Sequence, residues 1–311
     1  MTDSSNQPDN PTEKEDYHFA WYIAAWIDLL GQSEKLAQFD ELPTNENQKH
    51  EFLERVRQTF GIVGRFRSQL QNLHHLMFSK PLSLPSEMIA AVSEADRQLF
   101  DRYKSPNVDI RFLSDSALFT VCLNERQSFF PLGSIDDLFS ELAFLTLALL
   151  AQGIPIRGGV GLGICSKLPA GDLYGVAVAR AYKLESMAGI SQILIDDVVF
   201  EYLRWCQAQA AEGKERELKV HHIESIKRAC RRDGERFILS YLDRVRSIDR
   251  ERDGEFQQAV IFASTFIARE IERLQNLKLK DEKLLPRYRT LKAYFEIEGC
   301  WNPSSSSIFD N

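Results

Sequence analysis

The stretch WIDLLGQSEKL, Trp26 to Leu36, places a carboxylate inside an apolar run, with Ile27 before Asp28 and Leu29 and Leu30 after it. Upstream residues from Tyr17 onward are aromatic and aliphatic, so the run reads as a first strand that closes at Asp28 and turns at Gly31. A charge among aliphatic neighbours is costly unless something answers it.

From Gln48 to Met77 the residues Phe52, Val56, Phe60, Val63, Phe66, Leu70 and Leu73 recur at helical spacing. A second helical stretch runs from Pro85 to Phe100, with Pro85 suited to a helix start. NVDIRFLSDSALFTVCL, residues 107–123, reads as two strands with a polar break at Ser114-Asp115-Ser116. Ser134 precedes a helix, IDDLFSELAFLTLALLAQG, that is apolar around most of its circumference. Its Asp136 and Asp137 suit the N-terminus and Gly153 the C-terminal cap. IPIRGGVGLGICSKL is a strand carrying Gly158, Gly159, Gly161 and Gly163, the mark of a backbone approached closely by another group. VAVARAYKLESMAG reads as a helix ended by Gly189, and SQILID as the strand after it.

The order β-α-ββ-α-β-α-β predicts an α+β fold of ferredoxin-like βαββαβ type with a mixed or antiparallel sheet. HHIESIKRACRRDGERFILSYL adds a β-hairpin turned at Asp233-Gly234, with the basic run KRACRRDGER on its solvated side. Residues 255–295 read as two amphipathic helices broken near Pro286, a C-terminal helical extension. The expected organisation is a polar leader over 1–16, one core domain over 17–245, and an extension over 246–311 with a disordered end.

At 311 residues, 44% hydrophobic and 27% charged, the chain can bury a large core. A net charge of -7 argues against wrapping nucleic acid by bulk electrostatics. Cys122, Cys165, Cys206, Cys230 and Cys300 are odd in number and share no close spacing, which fits a reducing compartment and no disulfide framework. No apolar run approaches the roughly 20 residues that span a bilayer. A cytoplasmic protein, with no nucleic acid or membrane span as partner, is expected.

In a ferredoxin-like sheet the first strand is central, and the tip of the following hairpin can come beside its end. Asp28 and Asp115 would then meet. Two adjacent carboxylates repel unless a cation offsets them, and hard oxygen ligands suit Mg²⁺ or Mn²⁺ together with substrate phosphates. The plain alternative is that each aspartate caps a turn. His74-His75 and His221-His222 lack i, i+4 spacing and nearby acids in sequence, and read as structural or exposed.

WIDLLGQSEKL, FLSDSALF, IRGGVGLG and YGVAVARAYKLESMA together resemble, in order and spacing, the class III nucleotide cyclase catalytic domain, with its palm-type sheet. The SDS hairpin, RGG strand, AYKLE helix and QILID strand look most similar to the pyrimidine cyclases of bacterial Pycsar antiphage systems. The resemblance implies that Asp28 and Asp115, with the backbone carbonyl of Leu29, hold two Mn²⁺ or Mg²⁺ ions. Lys183 falls where the family has a transition-state arginine. Ala179 falls at a ribose-orienting asparagine, a departure for which the neighbouring Arg180 offers charge instead. Arg111 and Asp172 match the two base-reading positions, and the fork of an arginine suits carbonyl and ring-nitrogen acceptors.

Each residue also has a structural reading: Lys183 a solvated helix residue over Tyr182, Arg111 an outward strand arginine, Asp172 a turn residue. The resemblance implies a homodimer that cyclises a nucleoside triphosphate, UTP or CTP, to a second messenger for a separate cyclic-nucleotide-activated effector in antiphage defence. Two rivals stand beside it: an adenylyl or guanylyl cyclase in ordinary signalling, and a catalytically inactive cyclase-like module, which Ala179 and Lys183 favour.

Overall fold

The computed structural model describes residues 18–32, 36, 39, 43–79, 108–123, 131–168, 171–209, 214–248, 253–276 and 283–304. The helical stretch expected over 85–100, the leader and the extreme C-terminus lie outside the described residues. Within them the chain runs β1 (Phe19–Leu29), α1 (Glu46–Ser79), β2 (Val108–Leu113), β3 (Ser116–Cys122), α2 (Leu132–Ala151), β4 (Ile156–Lys167), β5 (Leu173–Gly175) and α3 (Val176–Met187). It continues through β6 (Ile193–Ile195), α4 (Asp197–Ala208), α5 (Lys214–Arg228), β7 (Cys230–Asp233), β8 (Arg236–Leu239), α6 (Tyr241–Ile248), α7 (Asp253–Asn276) and α8 (Leu284–Ile297).

One mixed sheet has the order β2-β3-β1-β4-β6-β8-β7, with β5 pairing β4 outside that path. Its first four strands are antiparallel to their neighbours and follow the ferredoxin-like order, with β1 central. β6 joins β4 in parallel, and the β7–β8 hairpin extends the sheet antiparallel from β6.

Alternation along β1 divides the sheet into two faces. Ile23, Ala25, Ile27 and Leu29 point to the back, into a core shared with Ala117, Phe119 and Val121 of β3. α2 supplies the centre of that core and is buried almost all round, as its apolar circumference predicts. α1 contributes Phe66 and Leu70, both 0% exposed, whereas Phe60 is 62% exposed. The stripe that reads as uniform in sequence is buried only toward its C-terminal half.

α7 and α8 pack Val260, Ala263, Ile267, Tyr288, Leu291 and Phe295 into the same core. The break between them precedes Pro286, which sits in the first turn of α8, where a missing N–H removes no helical bond.

Three sequence expectations need correction. α2 starts at Leu132, directly after Pro131, so Ser134 lies inside the first turn and Asp136 and Asp137 follow it as interior residues. The segment read as the first arm of the late hairpin is mostly helix α5, and only Cys230–Asp233 is strand. Helix α4 was not anticipated, although Val199, Leu203 and Cys206 are buried at helical spacing.

The front face carries a smaller cluster built from Tyr22, Ala24, Leu118, Cys165, Ala177 and Ala181. Here α3 lies directly on β4. A Cβ on Gly159 would stand 2.2 Å from the carbonyl oxygen of Ala181, and one on Gly161 would stand 2.6 Å from that of Ala177. The close neighbour implied by the glycines is therefore a helix of the same chain, and no larger residue fits beneath it.

Candidate active site

Register places the candidate residues on the front face. Asp28 pairs with Ser116 of β3 on one side and with Arg157 of β4 on the other. Asp115 occupies the two-residue turn just before Ser116, and its carbonyl accepts a hydrogen bond from the Leu29 N–H at 3.3 Å. That bond ties the end of β1 to the hairpin tip, so the expected meeting of the two aspartates occurs. Helix α1 braces the tip from behind: Arg67 donates to the Ser114 carbonyl and lies over the Phe112 ring at 5.4 Å. Ser114 has φ 56°, the left-handed conformation that reverses the chain there.

The Asp28 carboxylate accepts the Ser116 hydroxyl at 2.7 Å and faces an Arg157 Nη at 3.4 Å. Burial pushes its pKa up, and the charge of Asp115 pushes it further, while Ser116 and Arg157 pull it back. Arg157 meets Glu185 of α3 more closely, as an ion pair between Nε and Oε1 without an aligned hydrogen bond. The Glu185 side chain is 4% exposed, and its carboxyl is likewise raised, chiefly by burial.

Arg111 lies in the next front-face row. It pairs with Leu118, which pairs with Trp26, two residues before Asp28. At ~3.4 Å per residue and ~4.8 Å between strands, Arg111 stands about 12 Å diagonally from Asp28. Its guanidinium reaches Asp172 of the β4–β5 connection at 3.4 Å. Gly171 makes room for it: a Cβ there would lie 3.2 Å from an Arg111 Nη, at φ +85°. A second bridge, Lys167 to Asp109 at 3.4 Å, runs alongside. Leu118 and Trp26 floor the surface between the acids and Arg111, and Tyr182 of α3 meets Trp26 edge-on with centroids 5.4 Å apart.

The structure thus brings Asp28 together with Asp115, and Arg111 together with Asp172. The α3 residues behave differently. Arg180 donates to the Leu162 carbonyl at 3.0 Å and pairs with Asp196 at 3.5 Å, which turns it to the backbone of β4 and away from Asp28. Lys183 and Ala179 are exposed. Tyr182 stands edge-on against Trp26 and remains exposed on its outer side. The Leu29 side chain is buried in the back core, leaving only its backbone for the site. Sequence reasoning missed Ser116, Arg157 and Glu185. The antiparallel register of β1 with β4 was the signal for Arg157.

Donor chemistry at Asp28 and Asp115 suits a hard divalent cation, since two acids meet where Arg157 reaches Asp28 only at 3.4 Å. Among the described residues no three His, Cys, Asp or Glu side chains converge on a metal position. Further ligands would come from backbone carbonyls such as that of Leu29 and from a substrate. Among the described residues no helix is long and apolar enough to cross a membrane.

The histidines do have acids near them in space. His74 contacts Glu141 at 3.0 Å and His222 contacts Asp136 at 3.1 Å, both on the back of the sheet. The basic run is not simply solvated either: Arg231 lies 4.3 Å from the Tyr294 ring centroid and pairs with Glu298 at 3.2 Å.

No family model matches the chain, and no curated protein does. Solved structures with some likeness include the adenylyl cyclase CyaB from P. aeruginosa, with TM-score 0.37 and 14% identity over 61% of this chain and 83% of that one. The guanylate cyclase domain of RhGC from Catenaria anguillulae, solved with GTP, gives TM-score 0.34 and 12% identity over 61% and 85%. A guanylyl cyclase domain of the RhoGC fusion protein from the aquatic fungus Blastocladiella emersonii gives 0.36 and 9% over 72% and 94%.

Proposed function

We propose that the protein is a nucleotide cyclase acting on a pyrimidine nucleoside triphosphate, UTP or CTP. The observation that carries this reading is the front-face diagonal: two acids at one end, and Arg111 with Asp172 about 12 Å away, the span from the phosphates of a bound nucleotide to its base. The four motifs shared with class III cyclases support the same reading.

In the reaction the 3'-oxygen bonds to the α-phosphorus, the bond from that phosphorus to the bridging oxygen breaks, pyrophosphate leaves with that oxygen, and the 3'-hydroxyl proton passes to solvent. Mn²⁺ or Mg²⁺, when bound, neutralises phosphate charge and lowers the barrier to attack. Asp28 and Asp115 hold that position with the Leu29 carbonyl. Arg111 donates to the O2 and N3 acceptors of cytosine or to a uracil carbonyl, with Asp172 fixing its plane. Leu118 and Trp26 keep the floor between them apolar. Catalysis is then positioning and charge stabilisation. The cyclic product would act on a separate effector, as in antiphage signalling.

Lys183, exposed on α3, would serve the site of a second copy. A homodimer with two equivalent shared sites follows from that role. Mixing Asp28→Asn protein with Lys183→Ala protein then restores part of the activity, because one hybrid site is whole. A proven heterodimer without rescue would put the site within one chain.

Purified protein incubated with each of the four NTPs and Mn²⁺, with products resolved by mass, tests the activity. The expected result is a 3',5'-cyclic pyrimidine nucleotide and pyrophosphate. Cyclic AMP or GMP as the main product would favour the signalling alternative, and binding without any product the inactive module.

A further inference from the structure

Arg157 stands between two acids. Strand register sets it opposite Asp28, and α3 sets Glu185 against its other side. The two contacts are unequal. The Asp28 contact is 3.4 Å, long beside the ~2.7–2.9 Å of a tight charge-assisted bond, whereas the Glu185 contact is the closer one. Glu185 has no other side-chain partner among the described residues, and a lone buried carboxylate would be expensive. A guanidinium does not give up its proton in the working pH range, so it can leave Asp28 only by moving. The side chain is 27% exposed, which leaves it room to move.

We infer that Arg157 is a placeholder cation: anchored by Glu185, it holds the Asp28 carboxylate in place while no divalent ion is bound, and withdraws onto Glu185 when an ion takes Asp28. This rests on the metal role assigned to Asp28 and Asp115 above. Arg157 and Glu185 are positioning residues in this scheme and touch no substrate. Glu185 decides how firmly Arg157 competes for Asp28, so the two residues act on metal affinity with opposite sign.

Mn²⁺ affinity, measured by titration calorimetry in the absence of nucleotide and matched by thermal unfolding with and without Mn²⁺, separates the possibilities. The double variant Arg157→Met with Glu185→Gln removes both charges at similar volume. It is expected to unfold at lower temperature without metal, to bind Mn²⁺ about tenfold more tightly, and to gain more in midpoint from Mn²⁺ than the unaltered protein. Glu185→Gln alone frees Arg157 to pair fully with Asp28 and weakens Mn²⁺ binding several-fold. Should the double variant fail to fold, the single variant decides by itself. Unchanged Mn²⁺ affinity in a folded variant overturns the inference and leaves a purely structural ion pair. Absence of any Mn²⁺ binding that Asp28→Asn removes overturns the metal reading itself, and the inference with it.

Discussion

The two faces of the sheet answer a buried acid in different ways. On the back, Asp136 of α2 is enclosed by Arg244 of α6 at 2.5 Å and His222 of α5 at 3.1 Å. The same guanidinium donates to Ser140 and Ser225, so one arginine locks three helices around one carboxylate. Its neighbour Asp137 makes no hydrogen bond or ion pair among the described residues, and burial together with the charge of Asp136 drives its pKa to about 6. On the front, Asp28 faces a single arginine that is already committed to Glu185, and Asp115 stands close enough for its charge to raise the Asp28 carboxyl. The fold can therefore close a buried acid completely where packing is the purpose. Leaving a pair incompletely answered at the open end of the central strand is what a cation site needs.

If that contrast is right, removing the back-face cation should be far more damaging than neutralising a front-face acid. Arg244→Met leaves Asp136 buried beside one histidine and should lower stability by ~3–5 kcal/mol, measured by urea unfolding at neutral pH. A loss below ~1 kcal/mol would mean the helical layer does not depend on the pair.

Asp137 gives a smaller effect with a pH signature. Its carboxyl has a folded value near 6 against 3.8 for the unfolded chain, so the folded state keeps a proton that the unfolded state has released. Stability from this group is present below about pH 4, falls as pH rises toward 6, and is gone above it. Asp137→Asn should therefore be more stable than the parent at pH 7.5, on the order of 1–2 kcal/mol, with the difference shrinking by pH 4. Parallel stability curves from pH 4 to 7.5 would remove Asp137 from the list of strained acids.

Much of the front face was legible because its signals are local. β1 ends where its apolar run meets Asp28, the SDS break marks the hairpin, and the glycines of β4 announce a close neighbour. Those elements fix the strand order β2-β3-β1-β4 and with it the meeting of Asp28 with Asp115. The missing parts are non-local. Asp28 and Arg157 are 129 residues apart and meet only through antiparallel register, and Arg157 meets Glu185 only because α3 settles onto Gly159. His74 and His222 looked bare for the same reason, since Glu141 and Asp136 reach them from α2. α5 was misread because its polar, basic sequence has little apolar periodicity, and its buried Ile223 and Ile226 find partners only in the finished core.

The proposed phosphoryl transfer requires Asp28 and Asp115 jointly to hold a divalent cation. The direct test is the Asp115→Asn protein, compared with the parent for circular dichroism, Mn²⁺ binding and turnover of its preferred NTP. A folded protein that has lost Mn²⁺ affinity and turnover together is expected, since Asp115 sits in a turn and contributes charge rather than core packing. A folded Asp115→Asn protein with full activity would contradict it.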